Sequence, residues 1–195
     1  MARDARTRPE RLAFTGDDEA DRLIADDPNA LLIGFCLDQQ VTVQKAFSGP
    51  LELRRRLGHL DPARIAREDP DQLVAVFRER PALHRYPGTM ATRVRALCAF
   101  LDERYAGDGA RVWEDAESGA DLRARLSELP GIGDLKVSSM LMLLARQYHV
   151  DLPGLEAELP THPTLGTVTS AEELAAYQAG KRAHKAAMRA ARAEA

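Results

Sequence analysis

Cysteine is scarce in this chain, with only Cys36 and Cys98 among 195 residues. Two thiols exclude a disulfide-stapled scaffold and any four-cysteine zinc or iron–sulfur site, so no iron–sulfur cluster is expected. Aromatics are few as well, at 5 % of the chain with a single tryptophan. Long apolar runs are missing. The longest, Ala30–Leu37, has eight residues, too few to span a bilayer. The N-terminal MARDARTRPER lacks the apolar stretch that opens a secretory signal. With neither signal nor disulfides, the expected location is the cytoplasm, with no membrane association. His149, His162 and His184 have no metal-ligand spacing, so neither a metal nor another cofactor is expected. Net positive charge is lacking too: Lys and Arg total 27 against 30 acids, a sum of −3, which by itself does not suggest a nucleic-acid binder.

What is present is an ordinary globular balance, 45 % hydrophobic and 29 % charged, which opposes global disorder. The length suits one domain or two small interleaved ones. The charge is uneven. Residues 1–11 carry a net +2, residues 17–27 a net −5, and Lys181–Arg192 a net +5 with no acid. A near-neutral total therefore conceals an acidic stretch and a basic tail. That tail is either a solvated helix end or a phosphate-facing arm.

Helical signals run throughout. Asp27-Pro28, Asp61-Pro62 and Asp69-Pro70 each pair an N-cap with proline at the first helical position. They predict a buried apolar helix over ALLIGFCLDQQ and short helices at about 62–67 and 70–79. Thr89 predicts the start of a helix over about 90–105, with Val94, Leu97, Cys98 and Leu101 on one face. A short helix is expected over Leu122–Glu128. Another follows Gly133, where Val137, Met140, Leu141 and Leu144 recur at helical spacing. Ser170 and Glu173 form a capping box before a last helix at about 171–192. Segments 106–120 and 152–169 read as irregular. No stretch alternates long enough for a strand, so the expected fold is all-α.

The segment with chemical content is Leu129-Pro130-Gly131-Ile132-Gly133, between two predicted helices. Two glycines let the backbone turn tightly and let another backbone approach. Their N–H groups, with those opening the next helix, form a place for a phosphate oxygen. The same five residues also suit a plain turn between helices. Around them the chain resembles the helix–hairpin–helix (HhH-GPD) superfamily of base-excision DNA glycosylases, which includes endonuclease III and 3-methyladenine DNA glycosylase II. Three segments carry the likeness in order across residues 28–151: LLIGFCLDQQVTVQKA, GTMATRVRALCAFLDERY and LPGIGDLKVSSMLMLLARQYHVD.

The resemblance implies two helical subdomains with a cleft between them. Residues 31–144 would form the central one, with the helix–hairpin–helix at 122–147. Residues 1–30 would pack with 145–195 as the other. It implies a partner, double-stranded DNA, contacted by Leu129, Gly131, Ile132, Gly133 and Lys136. Gln40, with Gln39 beside it, would wedge into the duplex where a base has been flipped out. The two glutamines equally suit polar caps on a buried helix. The family's lyase-active members place a lysine where this chain has Leu135. Lys136 is one position on, turned about 100° around the helix, which implies a monofunctional enzyme. Asp151 would be the catalytic carboxylate that stabilises the cationic sugar. It lies 18 residues past Gly133, slightly short of the family spacing, and Leu152-Pro153 follows where a threonine–histidine pair is usual. Asp151 alternatively caps a turn, and Asp38 reads as the end of its helix. Tyr86, Trp113 and Tyr148 are either core residues or platforms for a flipped base. Three functions remain open: a DNA glycosylase, a DNA-structure-binding protein without cleavage, and a helical protein-interaction module.

Overall fold

A computed structural model describes residues 8–193, without the side chains of 184, 185 and 189–193. Arg3 and Arg6, and the side chains of Lys185, Arg189 and Arg192 in the basic tail, lie outside that description. The molecule is all-α: the described residues form helices, turns and loops with no strand.

The acidic stretch is itself a helix, α1 (Asp18–Asp26), which the sequence reading treated only as charge. Asp17 caps it by accepting from Ala20 N–H, and Asp18 and Glu19 suit its positive end. Asp21 is buried on α1, where one carboxylate oxygen accepts from Phe14 N–H, Thr15 N–H and the Thr15 hydroxyl. A charge of this chain thus folds its own entry segment.

Helix α2 (Pro28–Leu37) begins as expected, with Asp27 accepting from Asn29 and Ala30 N–H. Every residue from Ala30 to Leu37 is buried, because helices pack around it on several sides. The predicted continuation through Asp38-Gln39-Gln40 is corrected. The chain breaks at Asp38 and restarts as α3 (Val43–Leu57), capped by Thr42. The two helices pack closely, since a Cβ at Gly34 would lie 2.6 Å from the Phe47 ring. Phe47 also meets Phe14 and Phe35 edge-on, at 4.9 and 5.0 Å between centroids.

Helices α4 (Pro62–Arg67) and α5 (Pro70–Arg78) follow their Asp-Pro signals. Helix α6 (Pro87–Tyr105) starts earlier than Thr89 suggested, because Pro87 occupies the first turn and Thr89 lies inside the helix. Helix α7 (Arg111–Glu114) is a single turn within the segment read as irregular. Helix α8 (Gly119–Glu128) starts at the Ser118 cap, ahead of the predicted Leu122. Helix α9 (Asp134–Arg146) is followed by the short α10 (Leu155–Glu158) and a 3-10 turn at Leu165–Thr167. Helix α11 (Ala171–Ala193) has the expected Ser170 cap, and Glu173 reaches back to the Thr169 N–H.

The buried apolar residues form one connected core from Leu12 to Leu174. Helix α2 lies in it against α1, α3 and α6, while α9 packs on α8 and the 3-10 turn. Tyr148, just after α9, donates its hydroxyl proton toward the carbonyls of Ile24 and Ala25, tying α9 to α1. None of the described helices is long and apolar enough to cross a membrane.

Candidate functional site

The turn between α8 and α9 is anchored from within. Leu129 and Ile132 are buried, so their side chains hold the turn to the core and only their backbone can meet a partner. Ile132 N–H donates to the Leu129 carbonyl and closes the turn. Gly131 sits at φ +81°, in the left-handed region that favours glycine, and a Cβ there would lie 3.3 Å from Cys36 Sγ. The turn therefore rests against the end of α2.

Gly133 differs. Its φ is −103°, and a Cβ would meet no atom within 4 Å. Nothing inside the chain requires glycine there; the space is open toward solvent. The N–H groups of Gly131, Gly133, Asp134 and Leu135 donate to no partner among the described residues. They lie at the positive end of a thirteen-residue helix.

A pocket of about 770 Å³ opens at this end, lined by Gln39, Arg93 and residues 131–136. Lys136 folds back over it and donates from Nζ to the Gly131 carbonyl at 3.1 Å. Burial lowers its ammonium pKa, and the proximity of Cys36 and Asp38 opposes that shift. Lys136 is thus half-buried rather than a free surface lysine. Leu135, in the place the resemblance gives to a nucleophilic lysine, is 80 % exposed.

The break between α2 and α3 puts Gln39 and Gln40 on a loop beside this pocket. Gln39 Nε2 donates to the Cys36 carbonyl, and its Oε1 accepts from Arg93 Nη1. Burial raises the Cys36 thiol to about 11, so it stays protonated. Gln40 is exposed and holds a left-handed backbone at φ +56°. The Tyr86 hydroxyl donates to Gln40 Oε1 at 3.4 Å, and Tyr86 itself is 42 % exposed. The Arg85 guanidinium lies 4.9 Å from the centre of the Tyr86 ring.

One buried ring fixes this loop. His84, 1 % exposed, accepts at Nδ1 from Tyr86 N–H, so its proton is on Nε2, which donates to the Gln39 carbonyl at 3.0 Å. Burial lowers its pKa, keeping the ring neutral.

Asp38 ends α2 through its backbone N–H, as the sequence suggested. Its half-buried carboxylate has no hydrogen-bond or ion-pair partner among the described residues. Burial raises its pKa, opposed by the charges of Lys181 and Lys136. The site therefore gathers Asp38, Gln39, Gln40, His84, Tyr86, Arg93 and Lys136 on three separate stretches of chain. Of these, sequence reasoning missed His84 and Arg93 and left Asp38 as a helix end. The consecutive His84-Arg85-Tyr86 was the one signal available.

Asp151 is not brought to this pocket. It is exposed beyond the C-terminal end of α9, lining a pocket with Ala145. There it lines a separate pocket of about 360 Å³ with His149 and Glu156. Trp113 and Tyr148 are buried and meet edge-on at 6.1 Å, so neither is available to stack on a base. No group of three His, Cys, Asp or Glu side chains suited to a metal occurs among the described residues. The chain matches no protein-family model and no curated protein.

Proposed function

We propose that the protein is a monofunctional DNA glycosylase of the helix–hairpin–helix type, acting on a damaged or mismatched base in duplex DNA. The observation that carries this reading is the open end of α9. There, four N–H groups without a partner among the described residues and an unobstructed Gly133 adjoin a pocket bearing Arg93 and Lys136. Such an end accepts a phosphate oxygen without reading sequence. The flipped nucleotide leaves a gap in the stack, and Gln40, oriented by Tyr86, has the exposure to fill it. With Leu135 in place of a nucleophilic lysine, and Lys136 occupied by the turn carbonyl, base removal leaves an intact abasic site.

The cleft between two subdomains belongs to this reading, with residues 31–144 on one side and the two termini on the other. A second reading, duplex binding without cleavage, is favoured by the exposed Asp151 standing apart from the turn. One experiment separates them. Labelled duplexes carrying an alkylated purine, uracil, a mismatched thymine or an oxidised base are incubated with the protein and tested for alkali-labile abasic sites. Release from at least one duplex is expected. Binding with no release from any duplex favours the second reading.

A further inference from the structure

We propose that the exposed half of α11 is a second duplex contact, a cationic arm that lies along the phosphates of one strand beside the loop carrying Gln40. The assignment rests on the duplex-binding part of the proposed function and needs no base removal.

Helix α11 changes character along its length. Leu174 is buried in the core, Tyr177 and Gln178 are half-buried, and from Ala179 onward every residue whose side chain is described is exposed. Residues 179–193 therefore carry the helix about 22 Å past its packed part. The packed face continues outward, since helical steps from 174, 177 and 178 lead to positions 181, 185, 188 and 192. Past the core that face turns cationic, with Lys181, Lys185 and Arg192 on it and Arg182 and Arg189 along one edge. Alanines 176, 179, 183, 187 and 190 take the opposite face.

The charge on this stripe is not balanced within the chain. Arg22, Arg56, Arg111 and Arg125, on four other helices, each pair with an acid one turn away. From Lys181 to Arg192 there are five cations and no acid. Lys181 and Arg182 form no ion pair with the described residues, and the Lys181 ammonium lies 5.3 Å from the centre of the Tyr177 ring. Like charges one turn apart, as at 181 and 185 or 185 and 189, destabilise a bare helix. The helix dipole favours cations in the last turn, which covers Arg192 but not Lys181, Arg182 or Lys185. An external anion is the partner that such a stripe lacks.

Its position names the anion. Gln178 Nε2 donates to Gln44 Oε1 at 2.8 Å, fastening α11 to the first turn of α3. The chain from Gln44 back to Gln40 spans at most about 14 Å. One turn further along α11, Lys181 is close enough to Asp38 for its charge to bear on that carboxyl. The arm thus begins beside the 38–42 loop, and Gln39 of that loop lines the pocket at the open end of α9. A duplex seated on that end continues past the loop to the arm, whose length matches about six phosphates of one strand.

The test measures Kd for an undamaged labelled duplex across a salt series, using fluorescence anisotropy and the full chain. One variant carries Lys181→Gln, Arg182→Gln, Lys185→Gln, Arg189→Gln and Arg192→Gln. A second exchanges lysine and arginine at the same five positions and so keeps the charge. The glutamine variant should bind at least about tenfold more weakly at ~0.1 M salt, and its salt slope should be lower by about 3. Its Tm should hold or rise as like-charge repulsion is removed. The charge-keeping variant should bind as the wild type does. Should the glutamine variant unfold, Lys181→Gln with Arg182→Gln decides, with a slope lower by about 1 expected and an unchanged slope overturning the arm. A glutamine variant that binds within about twofold of wild type, with the same slope, overturns the arm and leaves the α9 contact standing. So does equal weakening in the charge-keeping variant. So does unchanged duplex binding with lost affinity for phosphatidylserine–phosphatidylcholine vesicles, which would assign the stripe to a membrane. A wild type that binds no duplex overturns the arm and the proposed function together. One that binds through the arm but releases no base upholds the arm and removes only the glycosylase reading.

Discussion

The two ends of α9 are built on opposite terms. At its C-terminal end, Gln147 and Tyr148 N–H donate to the Leu143 carbonyl and Val150 N–H to that of Leu144. Gln147 Nε2 reaches the carbonyls of Gly166 and Val168, pinning the 3-10 turn onto the helix. At its N-terminal end, four N–H groups have no acceptor among the described residues. Glycine marks both ends for different reasons. A Cβ at Gly166 would lie 2.3 Å from the Ser139 carbonyl and 2.5 Å from Leu143 N, whereas one at Gly133 would touch nothing. The closed end serves the fold. The open end is left for something outside the chain.

The largest test of that contrast is Gly166→Val. Its new atoms meet backbone rather than a flexible side chain, so α9 and the 3-10 turn must separate. Overpacking of this kind should cost about 3 kcal/mol, or roughly 9 °C in Tm. Thermal unfolding followed by circular dichroism reads it directly. An unchanged Tm would show that the C-terminal end is looser than its bonds imply.

How much of this was legible in the sequence depends on whether the cause was local. Asp-Pro pairs and the Ser170–Glu173 box announce helix starts because a cap acts within a few residues. The all-α class followed from helical spacing alone. Helix α1 escaped notice because its acids look like a solvated charge run, although they cap and start it. The break at Asp38 was invisible because no glycine or proline marks it; it is made by Asp38 ending one helix and Thr42 starting the next. The turn at 129–133 was readable from its own five residues. The pocket beside it was not, since Gln39, Arg93 and Lys136 come together there from three separate stretches of chain. Nor could spacing reveal that Asp151 stands at the other end of α9.

Gly133→Val tests the open end. Because its Cβ direction is empty, the variant should fold with a stability loss below about 1 kcal/mol, the cost of a poorer N-cap. Duplex affinity should fall about tenfold, or ~1.4 kcal/mol, as the branched side chain blocks approach to the N–H groups. Fluorescence anisotropy with an undamaged labelled duplex measures it. The fall should be similar across sequences, since the contact is to phosphate. Tight binding by this variant would mean the duplex docks elsewhere.

The smallest expected effect concerns the loops that face the two ends. Gln147, which pins the 165–167 turn, does not titrate; His84, which pins the loop carrying Gln39 and Gln40, does. Lys45 and Arg85 add to the burial that lowers the His84 pKa below its ordinary 6.5. Above that value the ring is neutral in folded and unfolded chain alike and contributes no pH dependence. As pH falls through 6.5, the unfolded chain takes a proton that the folded ring resists, so the unfolded state binds more protons and stability drops. Asp38 works in the other direction. Its raised pKa lets the folded chain take up a proton before the unfolded one does, which favours folding at lower pH, nearer the carboxylate range. The two windows are therefore separable. Urea unfolding at pH 7.5 and 5.5 should show a loss of stability on acidification that is smaller in His84→Gln, whose amide can still donate to Gln39 and accept from Tyr86. An equal acid loss in both proteins would place the sensitivity outside this loop and remove the difference in pH response between the two ends of α9.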